Sequence, residues 1–429
     1  MSHPGNFPNQ QPNQPNPQPG FPPPGQQPPA APYAPAGAYG TPQRPLPPPS
    51  VGGPNFQPRQ ARQAREVGVP MAIIVIGFSV IGLLALLFAS MSPQMFAIGA
   101  IPSTLALIIG LSCYMWLDQW EPEPPKLLMY AFVWGGGISV IGTLVTSLVI
   151  ASSGLVPPTD FYGAVIEAPI VEEAMKGSFL FFMLAGANRR EMHTLVDHLV
   201  YAGFVGFGFA FVENLMYFAT SPDMESTLFM TVVRTGFNLF GHALYTSATA
   251  VGIYLGRKYA GNKRALYYVG GYLVAVLLHA LWNGAATWGG MIGLGVVYLV
   301  LLTPAFVALV MQGVKARKRE GEVLRNQLPG MVQQGLISPD EANWIASLNS
   351  RSAMRKQLKG QDAQLARLSR LVDAVVELAI IRDRSMGEPS QFEQKEEAYL
   401  VQAIIDERNT QTPQAAAWVH QQAPQGPQF

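Results

Sequence analysis

The stretch from Val67 to Met91, VGVPMAIIVIGFSVIGLLALLFASM, carries no charged residue and follows Arg59, Arg62 and Arg65. A bilayer core of about 30 Å takes about 20 apolar residues in a helix, so the stretch predicts a membrane-spanning helix. It lies too far from Met1 to read as a signal peptide. Seven more apolar runs follow, near 95–117, 127–151, 161–186, 195–219, 228–256, 266–288 and 291–313. Turn and interface residues separate them: Ser92-Pro93, Glu121-Pro122-Glu123-Pro124-Pro125, Val156-Pro157-Pro158 and Ser221-Pro222. The composition agrees, with 49% hydrophobic and 13% charged residues over 429 positions.

The expected fold is therefore all-α, a polytopic membrane bundle of about eight transmembrane helices. Residues 1–66 form a Pro/Gln/Gly-rich tail that buries too little apolar surface to fold, and 409–429 form a second disordered tail. Residues 67–314 make the membrane domain. Residues 315–408 make a helical cytosolic region, with a helix start at Ser338-Pro339-Asp340-Glu341 and an amphipathic stretch from Asp362 to Arg382. Short loops rich in Lys and Arg stay in the cytoplasm. Lys126, Arg189 with Arg190, Arg257 with Lys258, Lys263 with Arg264, and Lys315 to Arg319 all fall on one side of an eight-span path. The expectation is a multi-pass cell-membrane protein with both termini cytoplasmic.

Several classes are excluded. Lys and Arg sit beside apolar runs and not on one solvated face, so no nucleic-acid partner is expected. Cys113 is the single cysteine, which rules out an intrachain disulfide or a cysteine zinc cluster. Nothing in the sequence sets an oligomeric state.

Charged side chains within a bilayer cost about 2.5–3.5 kcal/mol on insertion scales, so each is a functional candidate. Here they form a set: Glu172, Glu173 and Lys176 on the fourth run, Glu213, Asn214 and Tyr217 on the fifth, Arg234 and His242 on the sixth, His279 and Asn283 on the seventh. Lys176 is three and four residues from the two glutamates and can neutralise one of them. Adjacent helical residues point about 100° apart, so Glu172 and Glu173 should have different roles. At about 1.5 Å of rise per residue the set overlaps at one depth, between the bilayer middle and the extracytoplasmic side. Ordinary packing is favoured for Trp282 and Tyr217, the membrane interface for His193, Asp197 and His198, and close helix packing for Gly203, Gly206 and Gly208.

The E-E-x-x-K order of Glu172 to Lys176, the segment Gly206 to Tyr217, His242, and H-x-x-W-N in His279 to Asn283 together resemble the PrsW family, as does the Glu121-Pro122-Glu123-Pro124 loop. The resemblance covers about residues 70–310. It implies an intramembrane protease related to CAAX prenyl endoproteases and bacteriocin-processing membrane proteins, cutting membrane-anchored, anti-sigma-factor-like substrates on the extracytoplasmic side.

Peptide hydrolysis needs an activated water, a stabilised oxyanion and a proton for the leaving amine. Glu172 or Glu173 is the expected base, with His242 sharing the proton and His279 and Asn283 facing the oxyanion. Lys176, Glu213, Asn214, Tyr217 and Arg234 are expected to support them. The cofactor expectation is none or one divalent metal. A zinc site would use Glu213, His242 and His279, although no H-E-x-x-H helix is present. An ion- or proton-coupled transporter using the same Glu/Lys/His set is the alternative.

Overall fold

The computed structural model describes residues 71–154, 156, 159–185, 191–385 and 391–409; the expectations for 1–66 and 410–429, Arg189 and Arg190 lie outside them. Among the described residues every regular element is helical. The first two apolar runs form α1 (Met71–Met91) and α2 (Pro93–Leu117). The third is one helix, Pro125–Ser153, in which α3 (Pro125–Val133) and α4 (Val140–Ser153) flank a π-helical stretch, Trp134–Ser139. Pro125 sits at the start of α3, where its missing N–H is not needed.

The fourth run begins as a π-helix, Tyr162–Glu167, and continues as α5 (Ala168–Ala185). The fifth is α6 (Leu195–Ala219), capped by Thr194 and Asp197. The sixth departs from a single helix over 228–256. It is α7 (Met224–Thr231) with a π-helical extension to Phe237, then a break at 238–240, then α8 (Gly241–Gly256). Gly236 and Gly241 flank the break, and Asn238 accepts a hydrogen bond from the Tyr245 hydroxyl at 3.3 Å.

The seventh run is α9 (Gly261–Trp288). The eighth is α10 (Gly290–Val297), a π-helical turn Tyr298–Leu302, and α11 (Thr303–Gln333). α11 does not stop near 314, because Lys315 to Arg319 are good helix formers and the next proline is Pro329.

Among the described residues, six of the eight expected spans are long and apolar enough to cross a membrane. The other two are the helix carrying Glu172, Glu173 and Lys176 and the broken pair α7–α8 carrying Arg234 and His242, so the exceptions hold half of the polar set, and α6 and α9 hold the rest. Lipid-facing surfaces are plain elsewhere: Leu83, Leu86, Ile101, Leu266 and Ile292 are each more than two-thirds exposed. The chain is a multi-pass membrane protein built as an all-α bundle.

α6 stands at its centre and is buried nearly throughout. Small residues allow this. A Cβ added at Gly206 would lie 2.6 Å from Ala243 Cα on α8, and one at Gly208 would lie 2.2 Å from the Phe132 carbonyl oxygen on α3. Without a hydrophobic drive between helices in lipid, such close backbone approach is what holds them together.

Beyond the membrane, α11 packs with α12 (Pro339–Ile345), α13 (Leu348–Gln357), α14 (Asp362–Arg384) and α15 (Gln391–Asn409) around Leu324, Trp344, Ile345, Val375 and Leu400. Ser338 and Glu341 form the capping box their spacing suggests. On the amphipathic helix, Leu371, Val372, Val375 and Val376 are buried, while Leu365 and Leu368 are partly so. Arg351 ties this bundle to the end of α2 by donating to the carbonyls of Trp120 and Ile345 at 3.0 and 2.8 Å.

Asp118, just past α2, lies at the same junction. It accepts from the Glu123 backbone N–H at 2.8 Å. Burial, reinforced by the charge of Asp197, outweighs that bond and pushes its carboxyl up to about 8, and burial likewise pushes Glu123 well up. An acid whose pKa is higher folded than unfolded binds its proton more tightly in the folded state. The stability it contributes is fully present below about pH 4 and lost as pH rises through about 8. Thermal unfolding of the detergent-solubilised protein should therefore shift down between about pH 6 and pH 9, and Asp118→Asn should flatten that slope. An unchanged slope in the variant would place the alkaline sensitivity elsewhere.

Candidate functional site

Four helices, with Arg234 from the π-helical extension of α7, bring the polar set together. α5 places Glu172, Glu173 and Lys176 on its buried side, α6 presents Glu213 and Asn214, α8 begins with His242, and α9 contributes His279. The π-helical start of α5 and the break before α8 re-aim these side chains, in keeping with the frequent use of π turns at functional sites.

Lys176 is fully buried and central. Its Nζ lies 2.6 Å from Glu173 Oε1, 3.1 Å from His242 Nδ1 and 3.5 Å from Glu172 Oε2, and 4.2 Å above the Phe209 ring. Glu173 Oε1 also meets His279 Nδ1 at 2.9 Å, while its Oε2 is buried without a hydrogen-bond partner among the described residues. Glu172 is less engaged, since its remaining neighbour, His279 Nε2, is 3.8 Å away. The two adjacent glutamates thus occupy different environments, as their angular separation requires.

Glu213 does not join this group directly. Its carboxylate pairs with Arg234 and lies 2.8 Å from His242 Nε2. Arg234 also donates to Asn214 Oδ1 at 2.6 Å and lies over the Tyr217 ring at 4.1 Å. A carboxylate against one ring nitrogen holds the N–H there and leaves the other nitrogen as an acceptor. Glu213 therefore directs the His242 Nδ1 lone pair towards Lys176, and Glu173 directs the His279 Nε2 lone pair towards Glu172.

Asn283 donates from Nδ2 to the Ala164 carbonyl at 2.8 Å, which clamps α9 to the π-helical start of α5 and leaves one amide N–H over. Trp282 packs into an apolar cluster with Leu244, Tyr245 and Ala275. His193, Asp197 and His198 lie at the start of α6, away from the cluster, with Asp197 accepting from the backbone of His193 and Thr194 at 2.5 and 2.7 Å.

Two aromatic neighbours were missed in the sequence. Tyr245 stacks on His279 with centroids 4.8 Å apart, and Phe209 underlies Lys176. Tyr245 is three residues after His242 and Phe209 four before Glu213, so one-turn spacing could have flagged both.

Glu172, Glu173, His242 and His279 each offer one ligand atom within 4.8 Å of the others, all buried. Residues 123–309 match the model of the PrsW family intramembrane metalloproteases. Over these residues the membrane domain is of the PrsW type.

The matched segment begins at Glu123, so α1 and α2, included in the resemblance read from sequence, lie outside it. The chain is 27% identical over 194 residues to "Protease PrsW" of Geobacillus kaustophilus, spanning 43% of this chain and 80% of that one. It is 26% identical over 197 residues to "Protease PrsW" of Clostridioides difficile, spanning 45% and 79%. No solved structure matches the chain. The chain is a PrsW-type intramembrane endopeptidase, and its substrate is a protein in the membrane. These matches give the transporter alternative no support.

Proposed function

We propose that the chain cuts a peptide bond of a membrane-anchored, anti-sigma-factor-like protein, with Glu172 as the base that takes the proton from the attacking water. The observation that carries this reading is the convergence of Glu172, Glu173, His242 and His279 around the Lys176 ammonium inside the bundle. Glu172 is the base because Glu173 is already held by Lys176 and His279. The proton Glu172 gains then passes to the departing amine, and the spare N–H of Asn283 donates to the oxyanion.

The family name implies a metal, and the donor set fits one. Three carboxylates, Glu172, Glu173 and Glu213, face two permanent cations, Lys176 and Arg234, which leaves one buried negative charge uncompensated. Glu173 Oε2 has no hydrogen-bond partner among the described residues, and two imidazoles with carboxylates are zinc-type donors. Glu173, His242 and His279 would hold the ion, with Glu213 orienting His242 from behind in place of the ligand role expected from sequence. A bound divalent ion would supply a Lewis acid that lowers the pKa of a water and polarises the carbonyl.

Metal analysis of the purified full-length protein tests this. Close to one divalent ion per chain is expected, with little in His242→Ala and His279→Ala, and a loss of about 10- to 100-fold in metal affinity in Glu213→Gln. Full cleavage by protein stripped of metal would reject the ligand assignment while leaving Glu172 open to its own test.

We further propose that both termini are cytoplasmic, from the alternation of basic loops. Reporter fusions should place Asn262 inside and Asp223 outside. An outside signal at Asn262 would reverse the orientation.

A further inference from the structure

A crevice of about 1250 Å³ opens between α8, α9 and α11, running from Leu244 and Leu278, close in sequence to His242 and His279, to Lys258 past the end of α8. α9 packs along α8 and meets the last span at α10 and the π-helical turn, but packs little on α11 itself. The two helices therefore leave a gap towards the cytoplasmic end.

Its walls are apolar, with Ala248 and Leu255 of α8, Leu266 and Val274 of α9, and Ala308 and Leu309 of α11. Its mouth is basic. Lys258 just past α8 and Lys315 and Lys318 on α11 line it, and among the described residues none of the three has a carboxylate within ion-pair distance. Of the other charges there, Arg319 pairs with Asp383 at 3.1 Å, Arg384 lies 4.0 Å from Glu393, and Glu320 is buried, with its Oε1 lacking a hydrogen-bond partner among the described residues. Glu322 is the carboxylate that remains.

We propose that this crevice is a binding site for an anionic glycerophospholipid, whose acyl chains lie between α9 and α11 and whose phosphate meets Lys258, Lys315 and Lys318. An apolar slot at membrane depth ending in lysines at the cytoplasmic surface matches an anionic lipid at both ends. A substrate's transmembrane helix matches it poorly, because the positive-inside rule gives that helix its own Lys and Arg at the cytoplasmic end, where they would meet these lysines. The mouth is also bordered by Asp383 and Arg384 of α14, so the bound head group would touch the membrane helices and the C-terminal bundle together.

The test places a photoreactive benzoylphenylalanine at position 274 of the full-length protein, reconstituted in vesicles of equal phosphatidylglycerol and phosphatidylcholine with a single-span membrane protein present. The same probe at position 292, which is 82% exposed on the lipid-facing surface, reports the bulk lipid ratio. Lipid adducts at 274 should be enriched in phosphatidylglycerol by about ten-fold over those at 292, given the attraction of each lysine for an anionic head group. Combining Lys258→Gln, Lys315→Gln and Lys318→Gln should bring the ratio at 274 down to that at 292, with cleavage activity showing that the protein is folded. A bulk ratio at 274, enrichment that survives the three substitutions, or adducts to the single-span protein in place of lipid would overturn the proposal.

Discussion

Glu172→Gln is expected to lower cleavage of a single-span reporter in reconstituted vesicles by at least about 10²-fold, and up to about 10⁴-fold, the range that general-base catalysis supplies. Glutamine keeps the shape of the side chain, so the loose contacts to Lys176 and His279 at 3.5 and 3.8 Å need not change. What it removes is the ability to accept a proton. Folding should be untouched, which a thermal unfolding curve close to that of the wild type would show. Asn283→Ala should cost about 10²- to 10³-fold, as expected for one oxyanion donor, with an added loss of stability because the Ala164 carbonyl loses its partner. Wild-type cleavage by Glu172→Gln would remove this residue from the chemistry, and wild-type cleavage by the double Glu172→Gln, Glu173→Gln protein would reject the whole carboxylate mechanism.

The spans that face lipid were legible because lipid demands unbroken apolar runs, and α1, α2 and α9 fall close to where those runs lie. The break at 238–240 was hidden for the same reason, since Phe237, Leu239 and Phe240 keep the run apolar while the backbone leaves the helix. Its trace in the sequence is the pair of glycines at 236 and 241. The membership of the polar set was also legible, from the cost of burying each charge in lipid. Its pairing was not. Spacing along one helix fixes which residues share a face but says nothing of how that helix is rotated against its neighbours. Glu213 and Arg234 were therefore both visible as candidates, while their ion pair, and the assignment of Glu213 to the back of His242, required the packing of α6 against α8. The inequality of Glu172 and Glu173 followed from their being adjacent; which of them is held by Lys176 followed from the position of His279 on α9.

Lys176→Met should be the most destabilising single change in the site. The ammonium is fully buried and touches Glu173, Glu172 and His242, and methionine fills much of its volume without the charge. Removing one partner of a buried ion pair leaves an uncompensated charge and costs about 3–5 kcal/mol, whereas removing both partners is often close to neutral. The Glu173→Gln, Lys176→Met double variant should therefore recover most of the loss, because Glu172 and Glu213 then face Arg234 with the same net charge as the wild-type group has. Denaturant titration of the two singles, the double and the wild type closes this double-mutant cycle, and a coupling of about 2 kcal/mol or more is expected for groups in direct contact. Cleavage should stay low in all three variants, so stability and not activity is the deciding readout. A Lys176→Met protein as stable as the wild type, or a double variant whose loss is the sum of the two singles, would show that the ammonium is not what neutralises Glu173.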